Sequence, residues 1–177
     1  MERLVSLVIL IVILSGCGQH QQEDLTTGEG EKIAEVTVLG DMESQKFLTE
    51  VIGNEVAVRG HKFGTPIDSV LSNESLELFE DRPSHVGFMY ERSTLESADI
   101  LYLRDSQNKL IGVDIDIYLN TLQSADALFA TAKNHYNSLF EKSPTDTLTW
   151  LIKPSGYVKL SQVKKEHDNG LEIKYRQ

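Results

Sequence analysis

The chain has 177 residues, 40% hydrophobic and 25% charged, with no excess of Pro, Gly or Cys. That composition excludes collagen-like, disordered and disulfide-scaffold classes and leaves room for one ordinary domain. Its 17 basic and 27 acidic side chains give a net charge of −10, a balance that repels phosphate backbones and anionic headgroups and argues against nucleic-acid binding or a polybasic membrane contact.

Leu4 to Leu14 read LVSLVILIVIL, interrupted only by Ser6 and preceded by Glu2 and Arg3. A spanning helix needs about 20 apolar residues, so this run has the length of a signal-peptide apolar region instead. It ends in Leu14-Ser15-Gly16-Cys17, and this tetrapeptide resembles the processing site of bacterial lipoproteins: a leucine three residues before the cysteine, then two small residues. The resemblance implies cleavage before Cys17, a diacylglyceryl group on its sulfur and frequent acylation of the new amine. Cys17 is the single cysteine of the chain, so it has no intramolecular disulfide partner and belongs to no Cys-rich metal site. Gly18 follows it where an Asp would retain an enterobacterial lipoprotein at the inner membrane, so in a Gram-negative host the resemblance favours the outer membrane. Removing residues 1–16 takes away one base and one acid, leaving 16 against 26, so the mature chain stays acidic.

Gly18 to Glu31 hold one large apolar residue, Leu25, and no period. They read as a tether that would carry a domain roughly 20 Å from the bilayer. The expected organisation is a signal peptide over 1–16, the lipidated cysteine and tether over 17–31, and a single α+β domain over 32–177.

In that domain a strand is expected at Ala34 to Leu39 and a short helix at Met42 to Ile52, stopped by Gly53. A second short helix should run from Pro66 to Ser72, with Thr65 as its cap and Asp68 completing a capping box. His85 to Glu91 and Asp99 to Arg104 read as strands, and the turn Asp105 to Lys109 leads to a third at Leu110 to Leu119. There Ile111, Val113, Ile115, Ile117 and Leu119 share one face, opposite Gly112, Asp114, Asp116 and Tyr118. Thr121 then caps a helix over Leu122 to Phe140, in which Ala125, Leu128, Phe129, Ala132, Tyr136, Leu139 and Phe140 keep the three-and-four spacing. Short strands follow at Leu148 to Lys153, Tyr157 to Val163 and Leu171 to Tyr175, the last two joined through the hairpin signal His167-Asp168-Asn169-Gly170. The pattern predicts an α+β two-layer sandwich: an antiparallel sheet of five or six strands packed against one long amphipathic helix. The other sheet face is then either open or covered by residues before Gly64.

Phosphate-loop, nucleophile-elbow, zinc-helix and calcium-loop signatures do not occur. Asp114 and Asp116, two apart on a strand, aim their carboxylates the same way and are weak candidates for a hard cation such as calcium. The plainer reading is a solvated face of mixed charge with Lys159, Glu172, Lys174 and Arg176 as cross-strand neighbours. His20, His61, His85, His135 and His167 form no ligand pair on one element. Trp150, Tyr90, Tyr102, Tyr118 and Tyr157 read as strand packing before they read as a ligand patch.

One further stretch bears on function. Gly64-Thr65-Pro66-Ile67-Asp68-Ser69-Val70-Leu71, followed by Tyr90 and by Leu101 to Val113 around a turn, resembles the helix-then-hairpin order of SmpA/OmlA-type outer-membrane assembly lipoproteins. Ser72 stands where that family has a glycine, and the long helix with its later strands has no counterpart there. The expectation is a membrane-anchored envelope lipoprotein without catalytic residues or cofactor, touching the membrane through Cys17 and acting on an envelope protein partner. The competing readings are a small-ligand or metal-binding lipoprotein, using the Asp114/Asp116 face or a pocket between helix and sheet, and an extracytoplasmic enzyme.

Overall fold

The computed structural model of the chain describes residues 40–53, 57–164 and 168–177. The signal peptide, Cys17, the tether, the strand expected at Ala34 to Leu39, His20 and His167 lie outside the described residues.

The first helix, α1, covers residues 40–52 and buries Phe47, Leu48, Val51 and Ile52. It stops at Gly53, whose φ of 81° is a left-handed geometry that a side chain resists; its N–H bonds Thr49 O at 2.8 Å. A second helix, α2 (Ile67–Asn73), starts one residue later than expected: Pro66 occupies the cap position and no side chain caps it. Thr65 therefore does not perform that task, and Asp68 instead accepts a 3.1 Å hydrogen bond from the Asn108 side chain.

Eight strands follow in one antiparallel sheet: β1 (Glu77–Arg82), β2 (His85–Ser93), β3 (Glu96–Arg104), β4 (Leu110–Leu119), β5 (Glu141–Lys142), β6 (Thr149–Leu151), β7 (Tyr157–Lys164) and β8 (Asn169–Arg176). Their order is β1-β2-β3-β4-β8-β7-β6-β5. Helix α3 (Leu122–Leu139) enters between β4 and β5, and the Oγ1 of its cap Thr121 accepts the Ser124 N–H at 3.1 Å.

The expected sandwich of five or six strands against one long helix is corrected on both counts. Strand β1, ELFEDR, is an edge strand with five of its six residues exposed, so it has no apolar alternation to announce it. Strand β5 has only two residues and exists by pairing with β6. Helix α3 packs mainly on β4, β8 and β7 and touches β6 through Tyr136 and Asn137. The other half of the same face is closed by α1, whose Phe47 ring lies 5.7 Å from Tyr90 of β2, and by Ile67 and Val70 of α2.

The covered face is apolar in its central rows, and at its margin Gln162 and Lys164 reach Asp126 of α3. Val86, Tyr102, Val113, Tyr175, Val158 and Trp150 form one line across six strands, and Phe88, Ile100, Ile115, Ile173 and Leu160 form the next. Ile111, expected among them, is exposed instead, and Leu110 is buried in its place, because a register shift between β3 and β4 at this end breaks the alternation. Packing against α3 is closed by Tyr136, whose hydroxyl bonds that of Tyr175 at 2.7 Å and whose ring lies 5.3 Å from Trp150.

Burial ranks the helix positions. Leu128 is fully buried and Phe129 only half-buried. Leu128→Ala should cost about 2–5 kcal/mol, and Phe129→Ala should fall below the ~3–5 kcal/mol typical of a fully buried ring. Urea melts of the two variants check the order, which reverses if the helix is rotated from its described face.

Candidate functional site

All three helices lie on one face, so the other is left uncovered among the described residues, and the strand register arranges it in four rows. One row runs Arg82, His85, Leu103, Gly112, Arg176, Tyr157 and Leu151. Beside it run Glu80, Gly87, Leu101, Asp114, Lys174, Lys159 and Thr149, then Glu77, Met89, Asp99, Asp116, Glu172 and Ser161. Glu91, Ser97, Tyr118, Gly170 and Val163 make the last. The register shift in β1 lays the Phe79 ring over Gly87; a Cβ there would come within 2.7 Å of Phe79 Cζ.

Charge divides this surface. Arg176, Lys174 and Lys159 cluster on β8 and β7, and each has an acid nearby: Arg176 Nη1 lies 2.6 Å from Asp114 Oδ1, Lys174 3.1 Å from Glu172 and Lys159 3.4 Å from Asp146. Asp114 Oδ1 is buried without an aligned hydrogen bond, but its charge is met by that ion pair and Oδ2 accepts from Arg176 Nη2 at 3.0 Å. The Asp114/Asp116 pair singled out in the sequence is thus split, with Asp114 answering Arg176 and Asp116 facing Asp99 on one side and Glu172 on the other.

Asp116 is held above the ordinary aspartate value, first by burial and then by the Glu172 charge, with Lys174 opposing. Asp99 is raised as well, by burial and by Glu80, with the neighbouring Tyr118 hydroxyl opposing. Nothing local in the sequence marks Asp99; only the β3–β4 register sets it against Asp116. Among the described residues no group of three His, Cys, Asp or Glu is placed to hold a metal ion.

Two other polar clusters matter. Ser84 Oγ lies 2.9 Å from His85 Nδ1, and His85 Nε2 lies 2.7 Å from Glu80 Oε1. The order is that of a hydrolase relay, yet Ser84 sits exposed on a turn, and the guanidinium of Arg104 beside it is committed to Arg82 O, Asn108 and Asp81. A nucleophile without a preorganised anion-stabilising donor gains little from its base. The second cluster is internal. Arg59 donates to both oxygens of Glu74 at 2.8 and 2.9 Å, and the Tyr102 hydroxyl donates to the same carboxylate at 2.8 Å. With the Glu74 side chain 2% exposed and that of Arg59 17% exposed, this network ties the α1–α2 connection to β3.

Aromatics divide between the faces. Trp150, Tyr90 and Tyr102 pack inward, Trp150 donating to Asn137 at 3.0 Å and Tyr90 to Glu50 at 2.5 Å. The Tyr90 hydroxyl is pushed up to about 12 by burial and by that carboxylate. Tyr118 and Tyr157 stand on the open face, 46% and 40% exposed.

The interior between α3 and the sheet, where one competing reading would put a ligand, is filled by Ala125, Leu128, Ala132 and Tyr136. His61, buried against Tyr102 at 5.5 Å, and His135, beside Tyr136 at 5.3 Å, are both lowered by burial. Among the described residues no helix is long and apolar enough to cross a membrane. The chain was compared with family models, curated proteins and solved structures, and it matches none of them.

Proposed function

We propose that this is an envelope lipoprotein, anchored through Cys17, whose folded part is a noncatalytic interaction module that presents the open sheet face to a protein partner. The observation that supports the reading is the uncovered face itself. Seven strands spaced about 4.8 Å apart, with four rows of outward side chains, make a surface on the order of 700 Å², close to the ~800 Å² that each partner of a standard interface contributes.

Charge says what such a partner carries. The bases of this face already have acids near them, whereas Asp99 and Asp116 have no ion-pair partner among the described residues. A partner bringing Lys or Arg to this row would supply the opposite charge that these two acids, raised first by burial and then by neighbouring carboxylates, lack, while Tyr118 and Tyr157 supply apolar contact at the two ends.

The test is photo-crosslinking in intact cells, with a benzophenone amino acid at Tyr118 or Tyr157 and a control at Met42, which is 66% exposed on α1. One partner should be captured from both open-face positions and not from Met42, and Asp99→Asn with Asp116→Asn should weaken its capture at least tenfold. Equal capture from Met42, capture of only a second copy of this chain, or no capture at all would overturn the reading.

A further inference from the structure

The covered face of the sheet is incompletely filled at one end. There the 57–63 connection and the loop after β6 stand apart over the ends of β4 and β8, leaving an open cleft of about 460 Å³. Its apolar wall is made by Val58, Phe63, Val113 and Tyr175, and its rim carries Lys62 and Lys153. The volume lies within the ~300–1,000 Å³ range of small-molecule sites, and an apolar wall with a few polar groups at the mouth is their usual chemistry.

Charge at the rim runs against the molecule as a whole. In a chain of net charge −10, the described side chains lining this cleft include two lysines and no Asp or Glu. Lys62 has no ion-pair partner among the described residues, and Lys153 has only Glu141 at 3.2 Å, both of them largely exposed to solvent. His61 also lines the cleft, and burial lowers its pKa.

We propose that this cleft binds a small organic anion with an apolar body, the body against Val58, Phe63, Val113 and Tyr175 and the anionic group between Lys62 and Lys153. The site is separate from the open sheet face and does not depend on the protein-partner reading. At this volume the occupant is a single short chain or ring, not a lipid with two acyl chains.

Hexyl phosphate is a suitable probe, titrated calorimetrically into the full chain held in phosphatidylcholine nanodiscs, with empty discs subtracted and 1-hexanol as the neutral counterpart. Saturable one-to-one binding is expected for the phosphate, at least tenfold tighter than for hexanol. Lys62→Gln with Lys153→Gln, both exposed positions, should weaken it at least tenfold, and Ser155→Phe, which fills the cleft from its exposed loop, should abolish it. A melting curve for each variant separates loss of the site from loss of the fold. Absence of saturable binding, equal binding of hexanol, or full affinity in a folded Ser155→Phe variant would overturn the proposal.

Discussion

Cys17→Ala should abolish acyl labelling and leave an uncleaved precursor, the largest single effect expected of any substitution in this chain. The reason is chemical: the thiol of Cys17 is the nucleophile that would take the diacylglyceryl group, and no second cysteine exists to replace it. Each methylene buried in a bilayer contributes about 0.8 kcal/mol, so the two or three acyl chains of the proposed anchor would make release very slow, whereas a chain of net charge −10 is repelled by anionic headgroups. Mass spectrometry of the N-terminal peptide decides the matter. A wild-type protein with no acyl group on Cys17 would remove the anchor from the proposed function while leaving the fold untouched.

Glu74→Ala should destabilise the fold by up to about 3–5 kcal/mol, because it removes the carboxylate that neutralises the partly buried Arg59 guanidinium and leaves it the Glu50 carbonyl. Burial alone would raise the Glu74 carboxyl, but hydrogen bonds from Arg59 and Tyr102 and the positive charge of Arg59 outweigh it and hold the group below its ordinary 4.5. Arg59 is raised in turn, the Glu74 hydrogen bond and charge overcoming its own burial. A carboxyl whose folded pKa is depressed binds fewer protons in the native than in the unfolded state. Its contribution is therefore complete above pH 4.5 and lost as pH falls through the lower folded value. Urea midpoints measured from neutral pH down to pH 3 should show this acid-side loss in the wild type and a smaller one in Glu74→Ala. Equal midpoints for the two proteins at neutral pH would show that the buried pair carries no net stability. Against a typical total of about 5–15 kcal/mol, the predicted loss is a large fraction of the margin.

Elements with a strong local period are legible in the amino-acid sequence. Strand β4 has the limits its alternation predicts, and α3 begins where Thr121 caps it and ends within one residue of the expected Phe140. Helix α1 stops at Gly53 for the reason its sequence suggests. These features depend on neighbours two to four residues apart, and such neighbours are visible along a chain. Strand β1 is not visible in that way, because an edge strand buries too little to need alternation. Leu110 replaces Ile111 in the core because a register shift is a property of two strands, not one.

The proposed anchor rests wholly on the sequence: the apolar run, the small residues and Cys17 are contiguous, and their reading needs no tertiary contact. The open face, the line of Asp99, Asp116 and Glu172, the Arg59–Glu74–Tyr102 network and the cleft between the 57–63 connection and the 152–155 loop were decided by the tertiary structure alone. Each joins residues far apart in the chain; Arg59 meets Glu74 across 15 positions and Tyr102 meets Glu74 across 28. Strand order and register make those meetings, and both are chosen by burying the apolar rows together, a balance over the whole sheet that no single segment records.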